Sequence, residues 1–149
     1  MCGVIGIWAN GGAFHDLYQG LLAVQHRGQD AAGVITYDGR FHAKKGSGLV
    51  RDIFTAETVD HLRGNIGIGH TRYPTVGAGS GEDAQPFQIN SPFGIIMAHN
   101  GNVTNRRKLK KELFDKYHRL LNSDCDVEII LNIFAQELGE FRLFLIHIS

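Results

Sequence analysis

The chain opens directly on a strand pattern. Cys2 to Ala9 (CGVIGIWA) is short, apolar and partly β-branched, and it stops at Asn10-Gly11-Gly12, which predicts a buried strand and a turn from the second residue onward. A core strand with no lead-in holds whatever stands at its head, here the thiol of Cys2, at a fixed point of the fold.

The segments that follow alternate between the two structural periods. Phe14, Leu17, Tyr18, Leu21 and Leu22 recur at helical spacing and predict an amphipathic helix from Phe14 to Val24, with Gly28 ending it. Ala32 to Tyr37, Asp38-Gly39 and Arg40 to Lys44 read as a hairpin, because Asp-Gly accepts the positive φ of a tight turn. A short helix is expected over Ala56 to Leu62. Asn65 to Tyr73 (NIGIGHTRY) follows as a strand pattern, and TVGAGSGEDAQ as a long, mobile loop. Phe93 to His99 returns as a strand. Helices are expected around Asn105 to Leu121 and from Asp126 to Leu138, with Asp126 placed as the N-cap of the second.

No internal repeat interrupts this order, and a chain of 149 residues with 43% hydrophobic content suits one domain with its own core. The domain is expected over residues 1–138. The ending GEFRLFLIHIS, residues 139–149, is apolar, carries no stop signal and leaves a strand pattern without a visible partner. It is read as a separate tail, with truncation or non-native residues as its two explanations.

Charge and composition exclude several function classes. Lys and Arg number 15, as do Asp and Glu, so no net charge draws the chain onto nucleic acid or an acidic membrane. The basic run from Arg106 to Lys111 is followed by Glu112 and Asp115 and reads as a solvated helix face. The glycines form neither GxGxxG opening a helix nor a GxxxxGK[ST] phosphate loop. Eight histidines are scattered without an HxxxH or HExxH arrangement, so no metal site is expected. The two cysteines, Cys2 and Cys125, form no disulfide framework, and no signal peptide or apolar run of membrane-spanning length is visible, which together predict a cytoplasmic protein.

Four positions carry candidate chemistry. A small residue after the initiator Met permits excision of Met1, leaving Cys2 with a thiol and a free α-amino group. A thiol of pKa about 8.5 is mostly protonated at neutral pH, and an amine near about 7.7 to 8.0 can take its proton and return it. The alternative is that Cys2 is a small, inert residue at the head of a buried strand. Arg72 stands where a strand meets a loop and can fork onto a carboxylate, or serve a structural ion pair. Asn100-Gly101 can offer two N–H donors to an oxyanion, or simply turn the chain. Asp126 can meet an ammonium group, or cap its helix.

Taken together, CGVIG at Cys2 to Gly6, QHRGQDAAG at Gln25 to Gly33, HTRYPT at His70 to Thr75 and AHNGNVTN at Ala98 to Asn105 resemble the N-terminal-nucleophile glutamine amidotransferases in wording, order and spacing. Within that family QHRGQ, RYPT, AQPF and NSPFG are closer to the amidophosphoribosyltransferases than to the hexosamine-forming relatives, over roughly Met1 to Leu138.

The resemblance implies an α+β fold, the four-layer αββα sandwich of N-terminal-nucleophile hydrolases, incomplete at its C-terminal end in this chain. It implies that Cys2 attacks the side-chain amide of glutamine, forming a glutamyl thioester and releasing ammonia. Asn100 and Gly101 would form the oxyanion hole, Arg72 would bind the α-carboxylate of glutamine, Asp126 its α-amino group, and Arg27 would support the surroundings of the nucleophile. Asp124 stands close to the same acidic position, and Asp126 is chosen for its distance to the helix that follows.

The family's ammonia converts phosphoribosyl pyrophosphate to phosphoribosylamine in purine synthesis. That step belongs to a further phosphoribosyltransferase domain, with its magnesium ion, which this chain does not contain. The resemblance further implies glutamine as substrate, no cofactor in this segment and a homo-oligomer for the intact enzyme. The alternatives are a catalytically silent glutamine-binding fragment and a hexosamine-type glutaminase domain.

Overall fold

The computed structural model describes residues 1–73 and 83–148, the side chains of 142–148 excepted. It divides into two compact units, Met1–Pro86 with Ala98–Asn100, and Phe87–Met97 with the residues from Gly101 onward. The architecture is mixed α and β, with antiparallel sheets in both.

In the first unit β1 (Gly3–Trp8), β2 (Ala31–Tyr37), β3 (Phe41–Ser47) and β4 (Ile66–Arg72) form a sheet in the order β1-β4-β2-β3. β2 and β3 are the expected hairpin, with Tyr37 opposite Phe41 across a turn at Asp38 to Arg40. β1, the opening strand, pairs along its whole length with β4, from Gly3 opposite Thr71 to Trp8 opposite Ile66.

Helix α1 (Phe14–Ala23) lies on one face of this sheet and buries Phe14, Leu17 and Leu21 against Ala32 and Val34. The glycines of β4 make this possible. A Cβ built at Gly67 would meet Leu17 at 2.7 Å, and one at Gly69 would meet Leu21 at 2.9 Å, so the leucines pack straight onto the strand backbone. In NIGIGHTRY the glycines therefore mark the helix-facing side, and Ile66, Ile68, His70 and Arg72 take the other. On that opposite face Trp8, Ile66 and Tyr37 stand in register and are exposed, as is Val4.

Helix α2 (Val50–Ile53) was not foreseen, since four residues are too few to display a period. A distant side chain secures its start: the N–H of Val50 donates to Gln25 Oε1 at 2.7 Å. Helix α3 (Ala56–Val59) follows as expected, but shorter. The predicted loop TVGAGSGEDAQ lies outside the described residues except for its last three.

The second unit pairs β5 (Phe87–Ile89) with β6 (Ile95–Met97) and packs helix α4 (Arg106–Tyr117) on helix α5 (Asp126–Ile148). β6 lies within the expected strand, whereas β5, three residues long, had no legible alternation. α4 closes on His118 at φ 54°, and the N–H of Arg119 reaches back to the Leu113 carbonyl at 3.0 Å. Two expectations for α5 are corrected. The helix does not stop at Leu138 but continues to Ile148, because Gly139 costs a helix only about 1 kcal/mol and nothing after it breaks one. Asp126 is not the cap but the first helical residue, and its carboxylate accepts the Val103 N–H at 2.6 Å.

The carboxylate of Glu128 organises the turn before α5. It accepts the N–H groups of Asn122 and Ser123 at 3.0 and 2.8 Å and the Ser123 hydroxyl at 2.6 Å, while Ser123 Oγ accepts the Cys125 N–H at 3.2 Å. Ser123→Ala removes two of these bonds from a buried position. It is expected to lower stability by about 1–2 kcal/mol, read as a shift of the urea midpoint at constant slope.

Among the described residues no helix is long and apolar enough to cross a membrane, and no cluster of three or more His, Cys, Asp or Glu could hold a metal ion.

Candidate active site

Cys2 is 9% exposed and stands just before β1, where the ladder to β4 ends at the Gly3–Thr71 pair. The Gly3 N–H donates to Thr71 Oγ1 at 3.2 Å and ties down this end of the strand. The Cys2 sulfur then lies over Tyr73, whose N–H donates to Sγ at 3.5 Å and whose carbonyl is 3.8 Å from Sγ. Both are weak contacts, so the thiol is held in place without being tied up by a strong acceptor.

The backbone of Cys2 is bracketed by side chains from elsewhere in the first unit. Asn100 Oδ1 accepts the Cys2 N–H at 3.4 Å, and Asn100 Nδ2 donates to the Cys2 carbonyl at 3.2 Å. Arg27 Nε donates to the same carbonyl at 3.1 Å. Residues separated by 98 positions in sequence thus meet across the two peptide groups that flank the Cys2 Cα.

Arg27 reaches Cys2 because the short 3₁₀ turn Gln25–Arg27 packs tightly on the end of β4. A Cβ at Gly28 would lie 2.6 Å from the carbonyl carbon of Arg72, so only glycine lets the turn approach this closely. Gln25 braces the turn internally, with Nε2 donating to the Gly28 carbonyl. In QHRGQ the glutamine and the glycine are therefore braces for the arginine, a role that spacing alone did not reveal.

Arg72 is buried, and its Nη2 donates to Asp83 Oδ2 at 3.4 Å. Its other terminal nitrogen, Nη1, is buried and has no hydrogen-bond partner among the described residues. Asp83 was not foreseen as part of this neighbourhood, because only folding brings it beside the end of β4. Gln85 was missed for the same reason: its Oε1 accepts the His99 N–H at 2.7 Å and so anchors the residue that precedes Asn100. Of the remaining candidates, Gly101 and Asp126 belong to the second unit, where Asp126 makes the Val103 contact described above. Cys2, Arg27 and Asn100 are thus brought into direct contact, with Arg72 next to the Thr71 anchor on β4.

His70, fully buried on the same strand, is held mainly by burial at a pKa of about 4, against an ordinary 6.5. The His99 backbone favours the protonated ring but is outweighed, and among the described residues neither ring nitrogen has a hydrogen-bond partner of normal geometry. The ring is consequently neutral at pH 7 and places no second positive charge beside Arg72. Because the unfolded chain takes up this proton near pH 6.5 and the folded chain only near 4, stability is complete above pH 6.5 and is lost as pH falls between these values. The loss, expected to be about 3 kcal/mol, is measurable as the pH dependence of the urea midpoint and is absent from a folded His70→Asn variant.

The model of the glutamine amidotransferase domain family matches residues 70–145. The chain belongs to that family. It is 51% identical over 144 residues to the amidophosphoribosyltransferase of Escherichia coli, covering 95% of this chain and 28% of that protein. Its identity to the amidophosphoribosyltransferase of Saccharomyces cerevisiae is 46% over 149 residues, covering 97% and 29%.

Two solved structures share the fold of this glutamine amidotransferase domain. One is described as the allosteric regulatory enzyme of purine biosynthesis, with a TM-score of 0.77 and 34% identity over 87% of this chain and 28% of that one. The other is the glutamine phosphoribosylpyrophosphate amidotransferase of B. subtilis complexed with ADP and GMP, with a TM-score of 0.76 and 32% identity over 89% and 28%. The chain spans less than a third of the length of these relatives.

Proposed function

We propose that this chain is the glutaminase part of an amidophosphoribosyltransferase and that Cys2, with Met1 removed, is its nucleophile. The observation that carries the reading is the Asn100 side chain, which reaches both backbone polar groups of Cys2 from the far end of the first unit.

With Met1 gone, the nitrogen facing Asn100 Oδ1 is a free amine, oriented by that oxygen and able to take the thiol proton. Sγ then attacks the side-chain carbonyl carbon of glutamine. The carbonyl electrons move to oxygen, where donors from Asn100 and the Gly101 N–H stabilise the oxyanion. Collapse breaks the C–N bond, the amine's proton goes to the leaving nitrogen, and ammonia departs. Water hydrolyses the remaining thioester to glutamate and regenerates the thiol. Arg72 binds the substrate α-carboxylate, Asp126 its ammonium group, and Arg27 steadies the Cys2 carbonyl. The ammonia is destined for phosphoribosyl pyrophosphate in a phosphoribosyltransferase domain, whose magnesium ion lies outside this segment, within a homo-oligomeric cytoplasmic enzyme.

The same proposal extends to architecture. The apolar row Trp8, Ile66 and Tyr37 on the open face of the sheet suits the inner layer of a four-layer αββα sandwich that is incomplete here, with residues 1–138 as the N-terminal portion of the domain and 139–149 as a tail.

The test is glutamate release from glutamine by the purified chain, with the mass of its N-terminus and of any covalent adduct followed in parallel. Release, together with a Met-free chain carrying a transient glutamyl mass on Cys2, supports the proposal. A folded, Met-free chain that forms neither adduct nor glutamate identifies the silent fragment instead.

A further inference from the structure

The buried guanidinium of Arg72 is only half satisfied. Its one ion-pair partner among the described residues is Asp83, engaged through Nη2 alone at 3.4 Å, longer than the ~2.7–2.9 Å of a tight charge-assisted bond. Nη1 is buried and unpaired among the described residues, although leaving a charged donor unmet in the interior is costly.

Among the described residues the surroundings offer Nη1 no acceptor. His70, two residues away on the same face of β4, makes no hydrogen bond to it, and the strand backbone of Arg72 is already occupied, its carbonyl accepting the Asp30 N–H at 3.2 Å. A planar fork held by one arm, with its other arm buried and free, is a preformed seat for a carboxylate.

We propose that Asp83 is a positioning residue: it grips one arm of the Arg72 guanidinium so that the Nη1 edge is presented to the α-carboxylate of the amino-acid substrate. This rests on the glutaminase reading and deepens it. Arg72 has several rotatable bonds and no other anionic anchor among the described residues, so without Asp83 the fork loses its fixed plane. The substrate must then pay the ordering cost on binding.

The experiment compares Asp83→Ala and Asp83→Asn with the unaltered chain, using L-glutamine and a glutamine derivative whose α-carboxylate is converted to the amide. Asp83→Ala is expected to raise KM for glutamine about tenfold or more, with a much smaller change in kcat. It should leave KM for the amide derivative unchanged, because that substrate has no carboxylate for Arg72 to meet. Asp83→Asn keeps an oxygen acceptor in the same place and is expected to recover part of the loss.

A KM for glutamine that is unchanged or lowered, or an equal effect on both substrates, overturns the proposal. If Asp83→Ala does not fold, Asp83→Asn decides by the same comparison of substrates. If the unaltered chain has no turnover at all, the glutaminase reading fails separately. Calorimetric binding of L-glutamine then decides the role of Asp83, with the same weakening expected in the variant and equal affinity overturning it.

Discussion

Cys2→Ala is expected to reduce glutamate release by about 10⁴-fold or more, because a catalytic unit deprived of its nucleophile retains only binding and oxyanion contributions. The fold should scarcely notice. Among the described residues the hydrogen bonds of the side chain are the long sulfur contacts with Tyr73, at 3.5 and 3.8 Å, and the bonds that lock this residue in place run through its backbone to Asn100 and Arg27. Thermal unfolding of Cys2→Ala should therefore match that of the parent while turnover disappears. Cys2→Ser sharpens the test: a hydroxyl fits the same space but gives up its proton far less readily, so it too should be nearly silent. A folded Cys2→Ala variant that kept even a tenth of the parent rate would remove Cys2 from the chemistry.

Asn100→Ala is expected to lower kcat by about 10²–10³-fold, the scale of losing one oxyanion donor. Two functions end together. Oδ1 no longer orients the Cys2 nitrogen, and Nδ2, which donates to the Cys2 carbonyl in this structure, can no longer serve a developing oxyanion. Asn100→Asp separates the two, since it is isosteric and retains an acceptor for the Cys2 nitrogen while losing the donor. A large rate loss in Asn100→Asp, with unfolding unchanged, assigns the effect to the donor. A loss below tenfold in both variants would leave Asn100 a structural clamp.

These expectations draw on levels of information that differ in physical range. The opening strand, the α1 stripe, the Asp38-Gly39 hairpin and the α4 and α5 patterns were legible because each arises between residues a few positions apart, where periodicity and turn chemistry operate. The same locality limited the reading. α2, four residues long, is secured by Gln25, and the end of α4 is set by a left-handed His118 that no glycine or proline announced. Asp126 followed the pattern of a cap, yet its carboxylate found the Val103 N–H, a donor distant in sequence.

The candidate site divides in the same way. Residue type and position were enough to single out Cys2, Arg72 and Asn100, because side-chain chemistry is written in residue type, and the resemblance of QHRGQ added Arg27. Which atoms meet was decided by the tertiary structure. Antiparallel pairing of β1 with β4 sets Cys2 beside Tyr73, the bare backbone at Gly28 admits Arg27, and the anchoring of His99 by Gln85 brings Asn100 across 98 positions. Asp83 had no signal of its own in sequence, and Gln85 stood inside the word AQPF with nothing to show which atom it would meet. A hydrogen bond between distant residues leaves no mark on local spacing, and only closure of the chain around a packed core brings its two ends together.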